Sequence, residues 1–256
     1  MLGTALEDLA TAGRTVTELL GSGPDPDLMA TAAWSVRQVA VHLVAGAGMY
    51  SACLRGQPSP LQDMRPNTLS AFNRGAFVAL TERDVRALAL LHQRALVEVE
   101  AAALEGTAVR NVPFHAGHER PVEWMVTAMA TEQLLHGWDI ARAIGVDWRP
   151  RAALSARLSA FFAHMAPSLY RGEKATIREG SYWISPEGGD GWGFDLDGDQ
   201  VLPRTDGLNA RCRVAGDGFE LMLWTSRRAY WKDLALTASG EAADLAAEVM
   251  GSFYAA

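Results

Sequence analysis

The apolar pattern of this chain is helical throughout its first half and mixes strand-like alternation with shorter helical stretches past a boundary near residue 147, and that change limits what it can fold into. Up to residue 146, apolar side chains recur at the three-to-four spacing of a helix face. Beyond about residue 170, short alternating runs separated by turn residues take over, which is the pattern of strands. Leu2, Leu6, Leu9, Val16, Leu19 and Leu20 form one amphipathic stripe, closed by Gly21-Ser-Gly-Pro24. A second helix opens at Trp34-Ser35-Val36 with Ser35 as N-cap and Val39, Leu43 and Ala47 on one stripe. It fades at Arg55-Gly56-Gln57-Pro58. Residues 68–105 predict a long helix kinked near Gly75, Gly106 to Arg120 a loop, and Pro121 the first turn of a helix that stops at Gly145. Four such helices predict a bundle, where facing helices commonly build metal sites.

In the second half, Ala152 to Tyr170 predicts one more helix. Residues 175–183, 191–196 and 210–214 predict strands, with hairpin turns at Glu187-Gly-Gly-Asp-Gly191 and Leu196-Asp-Gly-Asp199. Gly216 to Thr225 returns to a helical period, Trp231 to Thr237 reads as a strand, and Glu241 to Phe253 as a closing amphipathic helix. The fold class is therefore α+β: a helical bundle over residues 1–148, then a small domain over 149–256 with helices on a mostly antiparallel sheet. Val146-Asp-Trp-Arg-Pro-Arg151 marks the boundary.

With 256 residues and a net charge of -7, and with no run of Lys or Arg, the chain does not suit a nucleic-acid partner. The first ten residues carry acidic side chains and lack the cationic start of a signal peptide. No apolar stretch reaches the roughly 18 residues of a membrane span. Two cysteines, Cys53 and Cys212, exclude a disulfide framework and a Cys-rich zinc site. These features predict a cytoplasmic protein, monomer or homodimer.

Glu132 and His136 stand four apart in the last bundle helix, so both side chains leave one face. Taken alone, such a pair is usually a solvated ion pair. His42, however, lies in Val39-Ala-Val-His42-Leu-Val-Ala, where a lone imidazole would be costly to bury. A divalent ion would supply a partner to both, and two His plus one Glu leave coordination positions open, as in catalytic zinc. His115 and His118 form an H-x-x-H placed in the loop near the mouth of such a site, and His92 and His164 read as surface or packing residues. The H-E-x-x-H motif of metalloproteases is absent.

Trp34-Ser-Val-Arg-Gln-Val-Ala-Val-His42-Leu43 resembles the W-[ST]-V-R-D-x-x-x-H-L signature of the mycothiol-dependent maleylpyruvate isomerase family. Glu132-Gln-Leu-Leu-His136-Gly-Trp138-Asp139-Ile-Ala-Arg142-Ala-Ile-Gly145 resembles that family's E-x-x-x-H-x-W-D-x-A-R-A-x-G. Residues 214–224 resemble its leucine-rich helix ending in Trp. The resemblance spans nearly the whole chain and implies a DinB-like four-helix domain followed by a sterol-carrier-like α+β domain. It also implies a divalent ion, zinc first, on His42, Glu132 and His136, and mycothiol as thiol cofactor. Gln38 replaces the family's usual acid one turn before His42, and Thr225-Ser-Arg227-Arg228 replaces the usual Gly-Arg.

The chemistry so implied is addition of a metal-activated external thiolate to a small electrophile, giving cis–trans isomerisation of a maleylpyruvate-like diacid or S-conjugation. Neither cysteine is placed to serve: Cys53 lies about 16 Å along the helix from His42. Arg227, Arg228 and Arg142 are candidates to hold a carboxylate, and Arg142 with His115 to contact the cofactor. Two other readings stay open. One is a zinc hydrolase on the same scaffold. The other is a non-catalytic binder whose second domain holds an apolar ligand against Trp183, Trp192, Phe194 and Trp224.

Overall fold

The computed structural model describes residues 1–105 and 110–253, and the chain divides into two compact units, Met1–Arg149 and Pro150–Ala256. Among its described residues the first holds five α-helices: α1 (Leu2–Gly21), α2 (Val36–Leu54), α3 (Pro66–Ala79), α4 (Val85–Leu104) and α5 (Val122–Ala143). The pairs α1–α4, α1–α5, α2–α4 and α2–α5 pack to make a four-helix bundle, and α3 lies against α2. Leu9, Val16, Leu20, Val39, Leu43, Leu88, Met125, Met129 and Ile140 fill its centre. Burying each large side chain contributes about 1.5–3 kcal/mol.

Local chemistry sets the helix ends. At α2, Gln38 Oε1 accepts from the Ser35 N–H at 2.9 Å while Ser35 Oγ accepts from the Gln38 N–H, a capping box. The stretch expected as one helix over 68–105 is two. It stops not at Gly75, which lies inside α3, but at Leu80, and restarts from Asp84, whose carboxylate accepts from the Arg86 N–H. Arg37 of α2 donates to the carbonyls of Leu80 and Glu82, which fixes the intervening turn. The expected loop 106–120 contains a small antiparallel hairpin of β1 (Asn111–Pro113) and β2 (Glu119–Pro121); residues 106–109 lie outside the described residues. No described helix is long and apolar enough to cross a membrane.

The second unit carries a five-stranded, mostly antiparallel sheet. Its strands are β3 (Glu179–Pro186), β4 (Trp192–Asp197), β5 (Gln200–Arg204), β6 (Cys212–Gly216) and β7 (Thr237–Ser239), in the order β5-β4-β3-β6-β7. Among the described residues, only β3 and β6 run parallel. Helices α6 (Ala152–Ser159), α7 (Phe161–Leu169) and α8 (Gly218–Thr225) complete it. The helix expected over 152–170 breaks at Ala160, where the Ser155 and Ser159 hydroxyls bond back to carbonyls of the preceding turn. Residues 231–237 are not one strand. Trp231–Asp233 makes a 3-10 turn with Trp231 packed on Trp224, and Glu220 captures the Ala235 N–H at 2.6 Å. The closing helix expected over 241–253 is instead two short 3-10 turns, Ala243–Leu245 and Val249–Ser252. Ser252 there bonds both backbone groups of Ile177, so contacts distant in sequence override a local helical period.

Candidate metal centre

Three side chains from two helices converge in the first unit. His42 comes from the second turn of α2, and Glu132 and His136 come from adjacent turns of α5. Glu132 Oε2 lies 3.4 Å from His42 Nε2 and 3.5 Å from His136 Nε2. The three ligand atoms all fall within 4.8 Å of one another, and among the described residues no other group of three potential ligands does so. Ligands held about 2.0–2.1 Å from a tetrahedral zinc sit about 3.3 Å apart, so the carboxylate-to-imidazole spacings fit one ion.

The far side of each imidazole fixes what it presents to that centre. His136 Nδ1 is 2.9 Å from Asp139 Oδ2, and His42 Nδ1 is 2.9 Å from Asn73 Oδ1 of α3. Both partners accept, so both Nδ1 atoms carry the hydrogen and both Nε2 lone pairs point at Glu132. Lone pairs facing a carboxylate repel unless a cation or proton lies between them, and this orientation by outer partners is characteristic of metal-binding histidines. Burial, the largest influence on the Glu132 carboxyl, pushes its pKa up. When a proton rather than an ion lies between the groups, hydrogen bonds and charge from the protonated His136 and His42 outweigh that and hold it well below the usual carboxylate range. The site is open on one side: Glu132 is 40% exposed, against 6% for His136.

Asn73 and Trp34 were not identified from sequence as parts of this site. Asn73 is a buried amide on a helix otherwise largely open to solvent, and that polarity gave no sequence signal of its target. Trp34 heads the first motif, and its ring packs on both imidazoles, 5.0 Å from His42 and 5.9 Å from His136 between centroids. Gln38, which stands where the family usually has an acid, caps its helix. A groove of about 540 Å³ runs along α2 from Ala45, one turn past His42, to Ala52. It is walled by Phe72 and Ala76 of α3 and by Pro58 and Pro60, and no charged side chain lines it.

The remaining candidates lie elsewhere. Arg142 stacks on Trp138 at 4.8 Å and donates to the Ala30 carbonyl at 3.3 Å, which ties α5 to the segment carrying Trp34. His115 is buried in the hairpin turn, with Ser59 Oγ 2.7 Å from its Nδ1, while His118 is exposed. His92 is fully buried between Thr17 and Gln133, and His164 is exposed. In the second unit, Arg227 ends α8 in the left-handed conformation (φ 59°) and donates to the Phe253 carbonyl; Arg228 follows, half-buried. Trp192, Phe194 and Trp224 are core residues of that unit. Cys53 and Cys212 are buried, and burial raises both thiols, Cys212 to about 11.

Residues 6–141 match the family model described as the mycothiol maleylpyruvate isomerase N-terminal domain. A crystal structure of the mycothiol-dependent maleylpyruvate isomerase superposes with a TM-score of 0.59 over 93% of both chains, at 14% identity. A histidine-to-alanine mutant of that enzyme superposes at 0.58, with 15% identity and the same coverage. At these identities the superpositions establish the shared fold. No curated protein matches the sequence.

Proposed function

This chain belongs to the mycothiol maleylpyruvate isomerase N-terminal domain family, and on that premise we propose that it is a cytoplasmic, metal-dependent enzyme adding mycothiol to an unsaturated carbonyl electrophile. The observation that carries the proposal is the aim of two imidazole lone pairs at one carboxylate oxygen, at 3.4 and 3.5 Å. A divalent ion bound there, zinc first, supplies Lewis acidity that lowers the pKa of a thiol. The chain's own residues do the rest. Asn73 and Asp139 hold the Nδ1 hydrogens, Glu132 contributes charge, and Trp34 covers the two rings. Arg142 supports Trp34 through Ala30.

Two buried, protonated cysteines leave the protein without a reactive thiol of its own, which supports an external thiol. When thiolate sulfur bonds to one alkene carbon, the π pair moves onto the carbonyl as an enolate. Rotation about the resulting single bond and return of the pair expel the thiolate and give the trans isomer. If the α-carbon takes a proton from water instead, the product is a conjugate. The uncharged groove that begins at Ala45, one turn past His42, suits electrophiles bearing an apolar group. Arg227 and Arg228 are proposed to meet an anionic group of substrate or cofactor.

The test measures metal content and mycothiol consumption together, across a panel of unsaturated carbonyl compounds with a chelated control. About one metal per chain is expected, lost in His42→Ala and His136→Ala. Retention of the metal in both variants, or turnover without mycothiol, would overturn the proposal.

A further inference from the structure

Two turns along the bundle from the metal centre, two polar groups, Tyr50 and His115, sit together with more hydrogen-bonding capacity than the protein uses. Tyr50 follows His42 by eight residues on α2, about 12 Å along the axis, and a helical side chain leans back toward the N-terminus, here toward His42. Trp124 precedes Glu132 by the same eight residues on α5, and Phe114 of the β-hairpin packs on it at 4.7 Å. His115 lies between these layers, 4.0 Å from Phe114 and 5.9 Å from Tyr50.

The hairpin holds His115 in a particular state. Ser59 Oγ accepts the Leu61 N–H at 3.1 Å, and its remaining partner among the described residues is His115 Nδ1 at 2.7 Å; donating its hydrogen there satisfies both groups and leaves the ring hydrogen on Nε2. Ala116, the next residue, takes a left-handed conformation (φ 58°) that costs a non-glycine residue of order 1 kcal/mol or more. Its N–H is anchored on the Leu61 carbonyl. Tyr50 and His115 are 8% and 4% exposed, yet neither the Tyr50 hydroxyl nor His115 Nε2 has a partner among the described residues. Each donor atom keeps a face to solvent, unlike fully buried unpaired groups such as Tyr182 Oη and Trp224 Nε1, so a ligand reaching this spot meets two donors free of partners among the described residues. Burial holds the His115 pKa down to about 4 against the pull of Glu132, and burial, then Glu132, pushes the Tyr50 phenol up. Both are therefore neutral hydrogen donors at neutral pH, within the field of the metal-site carboxylate.

We propose that Tyr50 and His115 bind the carbonyl oxygen of the electrophile: the Tyr50 O–H and the His115 Nε2–H donate to it and stabilise the enolate formed on thiolate addition. The inference rests on the proposed thiol addition and turns the role first expected of His115, contact with the cofactor, into contact with the substrate. Neutral donors suit a site beside an anionic carboxylate, because they strengthen as charge develops on oxygen without pairing with Glu132 beforehand.

The test has two arms. In the first, metal-loaded wild type, Tyr50→Phe and His115→Phe are compared with mycothiol and two electrophiles, an unsaturated ketone and a benzyl halide, whose displacement forms no enolate. Each substitution should lower the ketone-to-halide rate ratio about 100-fold; an unchanged ratio overturns the inference. In the second arm no thiol is present, and the infrared carbonyl stretch of bound acetophenone is recorded. A downshift that is reduced in both variants supports the carbonyl site, and a shift that survives both, or no shift, overturns it. A variant-sensitive shift in protein that never consumes mycothiol would keep the carbonyl site and remove the thiol reading.

Discussion

His136 donates its Nδ1 hydrogen to Asp139 Oδ2 across 2.9 Å, one helical turn away on α5 and almost wholly out of solvent. The carboxylate fixes the ring's tautomer and makes Nε2 a stronger base. Removing such an outer partner typically costs 10–100-fold in metal affinity. Asp139→Ala should therefore weaken metal binding about 10–100-fold. Asn73→Ala, which loses a neutral acceptor, should weaken it less. Competition with a chromophoric chelator measures both; equal affinity in Asp139→Ala and wild type would refute the assignment.

His92 makes stability depend on pH. Burial, opposed by the hydrogen bond with Gln133, lowers its pKa from 6.5 to about 4. Thr17 Oγ1 at 3.0 Å and Gln133 Oε1 at 2.6 Å flank its two nitrogens at the centre of the bundle. A depressed histidine pKa means that the unfolded chain binds the proton first. Stability is complete above about pH 6.5 and falls as pH drops toward 4, by about 3 kcal/mol for this group. His115 and Glu132 act in the same direction, so the His92 share is read by difference. Urea unfolding of wild type and His92→Gln at pH 7.5 and 4.5 should show the steeper loss in wild type, and parallel losses would contradict it.

The site was legible where one helix carries its geometry and obscure where the fold assembles it. Glu132 and His136 are four apart, so their convergence follows from helical pitch alone. His42 was legible because an imidazole among valines needs a partner. Asn73 reaches His42 across 31 positions of sequence, and Tyr50 of α2 meets His115 in the turn of the β-hairpin, and neither distance has a period to betray it. The same limit applies to the fold. The long helices of the bundle show many turns of one stripe, whereas residues 241–253 show a stripe too short to tell a helix from two 3-10 turns pinned by Ser252. The break at Leu80 depends on Arg37, more than forty residues earlier.

Gly193 in β4 is required by packing. It pairs with Trp183 of β3, and a Cβ at this position would run into the Tyr182 carbonyl and come within 2.9 Å of the Trp183 ring. The same indole closes over Gly191 and Gly207, so it has no free direction in which to yield. Gly193→Ala should destabilise the second unit by about 1–3 kcal/mol, the usual cost of overpacking a close-packed site. Gly188→Ala is a control in open space, with strain confined to its own positive φ. Thermal unfolding of both variants separates the two effects, and a Gly193→Ala protein as stable as wild type would refute the packing argument.

The two cysteines should prove chemically silent. Cys53 is 1% and Cys212 0% exposed. Burial raises both thiols, and Asp244 adds to the rise at Cys212, which reaches about 11. At neutral pH a thiol with that pKa is thiolate in about one molecule in ten thousand, and thiolate is the reacting form. A disulfide reagent should therefore modify neither residue in the native protein and both in denaturant. The Cys53→Ala/Cys212→Ala double variant loses only small buried side chains. It should unfold at somewhat lower denaturant while its mycothiol-dependent rate stays within about twofold of wild type, since no protein sulfur takes part in thiol addition. A rate that collapses while the metal is retained would show that a protein thiol, and not an external one, attacks the electrophile.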